Sequence, residues 1–366
     1  MLRATLGRVE LGEGLPIRIV GAINASPESF YGGSVVRSPE EALRVASRML
    51  EEGADIIDVG GMSTAPYVAS RMVPPDAEAS RVVPIVRAIS RELGALVSID
   101  TVRASVAAQA LDAGAEIVND VSGCKADPSM PRAISERGAS AIVGAREEET
   151  RVSGSPIMTI RKGLSESLRA CAEGGVELSR VVVDPGIGFF RSTGVEWHKW
   201  DSEVLRGLRR LYPLLRPVMV GVSRKSFIGR ILGIPDPGER LIGTIAAEAV
   251  AAFAGAHAIR AHDVREALQA ARIGEAIRPS LRITGSAVDL TRFLEPEDGW
   301  SPGSISLAVG VPPGGVRRTI EEVEGIGGRA AEVAPGALLV HVEASACGRL
   351  RESEVPWLRE AASLCG

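Results

Sequence analysis

Short apolar runs alternate with longer amphipathic stretches along this chain, eight times over. The runs are IRIVGAI (17–23), DIIDVG (55–60), ALVSID (95–100), EIVND (116–120), SAIVGA (140–145), RVVVDPG (180–186), PVMVGV (217–222) and HAIRAH (257–262). They are rich in Val and Ile and apolar on both faces, as parallel strands covered on both sides by helices must be. The segments between them, such as PEEALRVASRMLEEGA (39–54) and RASVAAQALDAGA (103–115), repeat apolar residues at helical spacing. Several end in Gly, which stops a helix just before the next strand. This α/β pattern predicts a (β/α)8 barrel, the TIM-barrel fold, over residues 1–282. The alternative, a doubly wound open sheet, rarely has eight such even units.

The alternation fades near residue 282. The stretch DGWSPGSISLAVGVPPGG (298–315) is dense in Gly, Pro and Ser, so residues 283–302 read as linker. Residues 303–366 hold two apolar runs, SISLAVGV and GALLVHVEAS, and two helical stretches, VRRTIEEVEGIGG and SEVPWLREAASL. They predict a small α/β appendage without a motif that points to chemistry.

Composition narrows the partners. With 366 residues, 24% charged and a net charge of -4, the chain lacks the basic excess of a nucleic-acid binder. It shows no apolar run near the ~20 residues that span a bilayer, and MLRATLGRVELGEG lacks the apolar core of a signal peptide. A cytoplasmic protein that touches neither nucleic acid nor membrane is the expectation. Cys124, Cys171, Cys347 and Cys365 show no CxxC spacing and read as buried or free thiols, not as a metal site or a disulfide frame. Four histidines argue against a multi-histidine metal centre.

Chemistry in such a barrel sits at the C-terminal strand ends, and polar residues concentrate there. Asn24 follows the first run and Asp58 lies in the second. Asp100 ends the third, Asn119 and Asp120 the fourth, and Asp184 the sixth. Ser223, Arg224 and Lys225 follow the seventh, and Arg260, His262 and Asp263 the eighth. Only the fifth, AIVGAREEE, ends without an obvious partner. Singly, an Asp before Pro-Gly is a turn former and Asn-Asp is a helix cap. Jointly they converge on one mouth. Carboxylates and an amide there suit a flat heterocycle with an amino–imino–oxo edge. Lys, Arg and His, with a helix opening at SFIG, suit an anion at the rim.

The same residues carry a family likeness. GAINASPESFYGG, GADIIDVGGMSTAP, SIDT, IVNDVSG, VVDPGIGF, VGVSRKSFIG and IRAHDV match, in order and spacing over roughly residues 17–280, the signatures of dihydropteroate synthase, which the chain resembles. The resemblance implies a transferase that condenses 6-hydroxymethyl-7,8-dihydropterin diphosphate with 4-aminobenzoate, releasing diphosphate. It places Asp100, Asn119, Asp184 and Lys225 at the pterin. Arg260 and His262 would bind the diphosphate, and Asn24 would ligate a magnesium ion on it. Ser226 would meet the aminobenzoate carboxylate, with Thr64, Phe30 and Pro66 closing that pocket. Family members often form homodimers.

Two departures stand where the second substrate belongs. Met62 and Ala65 replace a usual Glu and Arg, and IVGAREEE replaces a usual Met-His-Met. The amine substrate could therefore be 4-aminobenzoate or a ribosylated aminobenzene relative. The other readings are a pterin-dependent methyltransferase acting with a corrinoid protein, and a non-catalytic pterin-binding protein. Finally, only four of 42 basic residues are lysine. Lys225 is therefore expected to fill a slot too narrow for a guanidinium, with Arg224 facing the rim.

Overall fold

The computed structural model describes residues 2–26, 35–62, 73–147, 150–301 and 303–365. The chain divides into two compact units. One holds residues 4–208 and 217–278, and the other holds 1–3, 209–216 and 279–366.

The larger unit is the expected barrel. A hairpin, β1 (Arg3–Leu6) and β2 (Val9–Gly12), precedes it. The barrel strands are β3 (Arg18–Asn24), β4 (Ile56–Gly60), β5 (Val97–Asp100), β6 (Ile117–Asp120), β7 (Ser140–Gly144), β8 (Val181–Asp184), β9 (Met219–Val220) and β10 (Ala258–Ala261). All eight apolar runs are strands. They pair in parallel in the order β8-β7-β6-β5-β4-β3-β10-β9, and a parallel bridge between Val183 and Val218 closes the ring. Between them run α1 (Pro39–Glu51), α2 (Pro75–Leu93), α3 (Ala104–Ala113), α4 (Met130–Ser135), α5 (Pro156–Glu173), α6 (Trp197–Arg206), α7 (Ser226–Leu232) and α8 (Leu241–Ala254). The last, α9 (Val264–Ile277), follows β10.

Local chemistry explains the helix ends. Ser38 caps α1 by accepting from the Glu41 N–H at 3.2 Å, and Pro39 opens the helix. Ala42, Ala46 and Met49 form its buried stripe. Gly94, Gly114 and Gly255, all at positive φ, stop α2, α3 and α8. The N-terminal hairpin was not expected. Leu6 and Leu11 join Val20, Ile56, Leu96, Ile117 and Val182 in one buried cluster at the N-terminal ends of the strands, opposite the catalytic mouth of such barrels.

The smaller unit is a five-stranded antiparallel sheet in the order β11-β12-β13-β15-β14, where β11 is Ile283–Thr284, β12 Ala287–Asp289, β13 Ser304–Gly310, β14 Arg329–Ala334 and β15 Ala337–Glu343. It carries α10 (Val316–Gly325) and α11 (Pro356–Ala361). The expected linker, 283–302, thus contributes two strands of this sheet. Their turn-rich sequence masked them, because two- and three-residue strands show no periodicity. The unit also takes in residues 209–216. Arg210, 6% exposed, bonds there to Asp298 at 2.8 Å and to Glu297. One expectation about cysteine is overturned: Cys347 and Cys365 form a disulfide within this unit, bringing together residues 18 positions apart. Spacing alone did not reveal it. Cys124 and Cys171 are buried free thiols, as expected. Among the described residues, no helix is long and apolar enough to cross a membrane.

Candidate active site

Strand register assembles the site. Asn24 pairs with Gly60, Gly60 with Asp100, and Asp100 with Asn119, so one row crosses β3, β4, β5 and β6. Asp58 lies two residues before Gly60 and is fully buried. Arg260, from β10, reaches across the mouth. Its Nε donates to Asp58 at 2.6 Å and its Nη2 to Asp100 at 3.0 Å. Asn119 Nδ2 donates to the same Asp58 oxygen at 3.1 Å. Burial works against the Arg260 cation, but Asp58 and Asp100 outweigh it and raise its pKa. Burial also pushes Asp100 up to about 7, against the pull of Arg260 and with added repulsion from Asp58.

Asp184 and Lys225 form the opposite wall. The Gly186 N–H donates to Asp184 at 2.8 Å in the Asp-Pro-Gly turn. Gly186 has φ +68°, and a Cβ there would lie 1.7 Å from the Ala145 carbonyl oxygen, so only glycine fits. Burial raises the Asp184 pKa, opposed by Lys225. The Lys225 ammonium donates to the Ile187 carbonyl and stands 5.1 Å from the centre of the Phe189 ring. Its stem passes Gly188, where a Cβ would come within 3.0 Å of Lys225 Cδ. The stem therefore runs close against the Gly188 backbone. Burial lowers the Lys225 pKa to about 8, although Asp184 and Asp201 favour the charge.

At the rim several of these residues pair within the protein. Arg224 does not face outward. It is 4% exposed, grips Asp263 through Nε at 2.8 Å and Nη2 at 2.9 Å, and donates through Nη1 to the Pro237 and Gly238 carbonyls. Asp263, read as a mouth residue, is its partner. A lysine could not reproduce that fork. Asp120 accepts from the Ser122 N–H and hydroxyl and from the Cys124 N–H, and shapes a turn. His262 is not cationic. Burial, then Arg260, Arg224 and Lys225, lower its pKa to about 3, while its Nδ1 lies 2.9 Å from Ser223 Oγ. Arg260, expected at the diphosphate, is paired with the floor carboxylates. Ser226 Oγ accepts from Arg191 Nη2 at 3.0 Å. Phe30, Thr64 and Pro66, with Ala65, lie outside the described residues.

For a cation, the donors are few. A Cβ on Gly60 would lie 3.7 Å from Asn24 Oδ1 and 3.6 Å from Asp100 Oδ2, so an amide and a carboxylate oxygen flank that spot. Among the described residues, no three His, Cys, Asp or Glu side chains group to hold a metal. Such a set suits a hard ion that draws its other ligands from substrate oxygens and water.

Residues 20–262 match the model of the pterin binding enzyme family. The chain belongs to this family. Dihydropteroate synthase of Bacillus subtilis is 36% identical over 259 residues, covering 71% of this chain and 88% of its own. That of Mycobacterium leprae is 36% identical over 270 residues, covering 70% and 92%. Two solved structures are similar. A Clostridium difficile dihydropteroate synthase determined in the presence of pteroic acid has a TM-score of 0.66 at 36% identity, covering 72% of this chain and 98% of its own. A Xanthomonas albilineans enzyme with 4-aminobenzoic acid has a TM-score of 0.67 at 30% identity, covering 75% and 98%.

Three residues of this mouth escaped the sequence reading. Asp58 was seen at a strand but given no role, and it is the hub of the floor. Asp201, on α6 and 1% exposed, accepts from the Gly188 N–H at 2.8 Å and so holds the Lys225 slot. Burial raises its pKa to about 6, against that hydrogen bond and Arg191. An Asp on the apolar stripe of Trp200, Val204 and Leu205 was the available signal. Arg191 lay just past the VVDPGIGF signature.

Two outcomes are expected. With Asp100 accepting from ring N–H donors only when ionised, and Lys225 donating to the ring only when protonated, both groups would set the pH range of pterin binding. Pterin affinity should therefore rise as pH passes about 7 and fall above about 8. Titration of a pterin analogue from pH 5.5 to 9.5 reads this, and Asp100→Asn should remove the acid limb. A flat profile would disprove it. Lys225→Arg should weaken the same binding tenfold or more, ~1.4 kcal/mol, because a guanidinium overfills the gap beside Gly188. Wild-type affinity in that variant would mean that charge alone matters.

Proposed function

We propose that the chain is a dihydropteroate synthase. It joins the exocyclic methylene of a dihydropterin diphosphate to the amine of 4-aminobenzoate and releases diphosphate. The observation that carries this is the single mouth in which Asp100, Asn119 and Asp184 stand on strand ends beside the Lys225 slot, within a family whose solved members bind pteroic acid and 4-aminobenzoic acid. A flat ring laid on that floor finds acceptors for its N–H groups and a compact donor for its carbonyl or ring nitrogen.

In the reaction the carbon–oxygen bond to diphosphate breaks and the amine nitrogen bonds to the same carbon. The amine then loses a proton. Asp184 stabilises positive charge developing on the ring. Little general-base work is needed, since the aromatic amine attacks as the neutral base. Arg260, from its place beside the floor carboxylates, and His262 would meet the departing diphosphate. The neutral His262 gains basicity as that anion develops beside it. Asn24 would hold a magnesium ion, which when bound offsets the charge of the diphosphate. Ala65, where the family usually has Arg, is the smaller and uncharged residue, and that change would suit a bulkier amine such as a ribosylated aminobenzene.

The decisive assay is diphosphate release with chromatography of the pterin product, with and without 4-aminobenzoate. Turnover should need the amine and Mg²⁺, and fall at least tenfold in Asn24→Ala, about 1.4 kcal/mol. Full turnover in chelator would remove the metal from the reading. Lack of product with 4-aminobenzoate and with a ribosylated aminobenzene would reject the activity.

A second copy is the proposed partner. Ile231 and Leu232 on α7, Ile242 and Phe253 on α8, and Ile273 and Ile277 on α9 are large apolar residues left exposed on three neighbouring helices. Ile242 is 82% exposed. Sedimentation velocity should show a dimer that Ile242→Asp shifts toward monomer. A monomeric wild type at micromolar concentration would refute it.

A further inference from the structure

The fifth strand end, AREEE, has a partner after all. Both carboxylate oxygens of Glu147 face the loop after β8. Oε2 accepts from the Arg191 N–H at 2.6 Å, and Oε1 accepts from the Ser192 N–H at 2.9 Å. This pins the backbone on which Arg191 stands. The Arg191 guanidinium then lies over the Trp197 indole, 4.4 Å from its centre, and donates from Nη2 to Ser226 Oγ at 3.0 Å. Its charge is also felt at Lys225 and Asp201, so it belongs electrically to the same mouth.

We propose that Arg191 is the residue that selects an anionic group on the amine substrate, opposite its amino end. The proposal rests on the reading of the chain as a dihydropteroate synthase and names which residue of that site reads the second substrate's charge. Three physical points support it. A guanidinium held over an aromatic face and hydrogen-bonded to a hydroxyl, on a backbone that Glu147 pins, has already lost much of its rotamer freedom, so less is lost on binding. Its planar fork matches a carboxylate or a phosphate. Because Arg191 fills an acceptor position on Ser226, the serine hydroxyl keeps its hydrogen to donate to the same anion. The usual arginine is replaced by Ala65 in this chain, and the usual Met-His-Met of the fifth strand falls within IVGAREEE. Glu147 and Arg191 together restore a fixed cation at the rim. Glu147 is a positioning residue, because it acts only through the Arg191 backbone.

The test compares 4-aminobenzoate with the neutral 4-aminobenzamide as amine, at saturating pterin diphosphate and Mg²⁺, in wild type, Arg191→Lys and Arg191→Ala. The readout is the ratio of kcat/KM for acid over amide. It should fall at least tenfold in Arg191→Ala and by less in Arg191→Lys. KM for the pterin diphosphate should stay within about twofold, which also shows that each variant is folded. If the wild type turns over 4-aminobenzoate and the ratio survives in both variants, the role of Arg191 is wrong and the activity stands. If the wild type makes product from neither amine, the activity is wrong and the role of Arg191 falls with it.

Discussion

Everything at the mouth depends on one buried cation. Asp58 has no exposure to water, and Asp100 stands 12% exposed two strand positions away. Two carboxylates so close repel each other, and burial penalises each charge. Arg260 crosses the barrel to bond both, and the Asn119 amide takes a further share of Asp58. The cost is visible at Asp100, which stays hard to ionise even with the arginine beside it. A ligand with N–H donors relieves that cost, so a floor strained in electrostatic terms is also a floor tuned for a planar donor edge.

The second half of the mouth is organised by backbone geometry more than by charge. Gly186 and Gly188 both adopt positive φ, and both stand where a side chain would collide. The first lets the Asp-Pro-Gly turn close over Ala145, and the second opens the passage for the Lys225 stem. Asp201 holds the passage from below by accepting from the Gly188 N–H. A slim ammonium suits a stem that runs so close to the Gly188 backbone. Arg224, its neighbour, is spent on fixing the loop through Asp263 and two carbonyls.

Most of the fold was legible in the sequence. Each of the eight Val/Ile-rich runs is a strand, and the Gly stops fall at real helix ends, because periodicity and φ preferences are local properties. The misses share a cause. The hairpin at the N-terminus and the strands β11 and β12 are too short to show a period, and the Cys347–Cys365 bond joins residues whose proximity no local rule encodes. Likewise Asp120 and Asp263 look like ligands in sequence, and turn out to serve a turn and an arginine.

By itself, the sequence determined the barrel, the mouth at which polar residues meet and the family. These follow from residue types at fixed spacing along the chain. Only the tertiary structure decided how those residues pair. Strand register set Asn24, Gly60, Asp100 and Asn119 in one row, closure of the ring brought Arg260 to Asp58, and the loop after β8 joined Glu147, Arg191 and Ser226 across 79 positions of sequence, from 147 to 226. Charges are paired by distance in space, and the chain's order holds no record of that distance until the barrel closes.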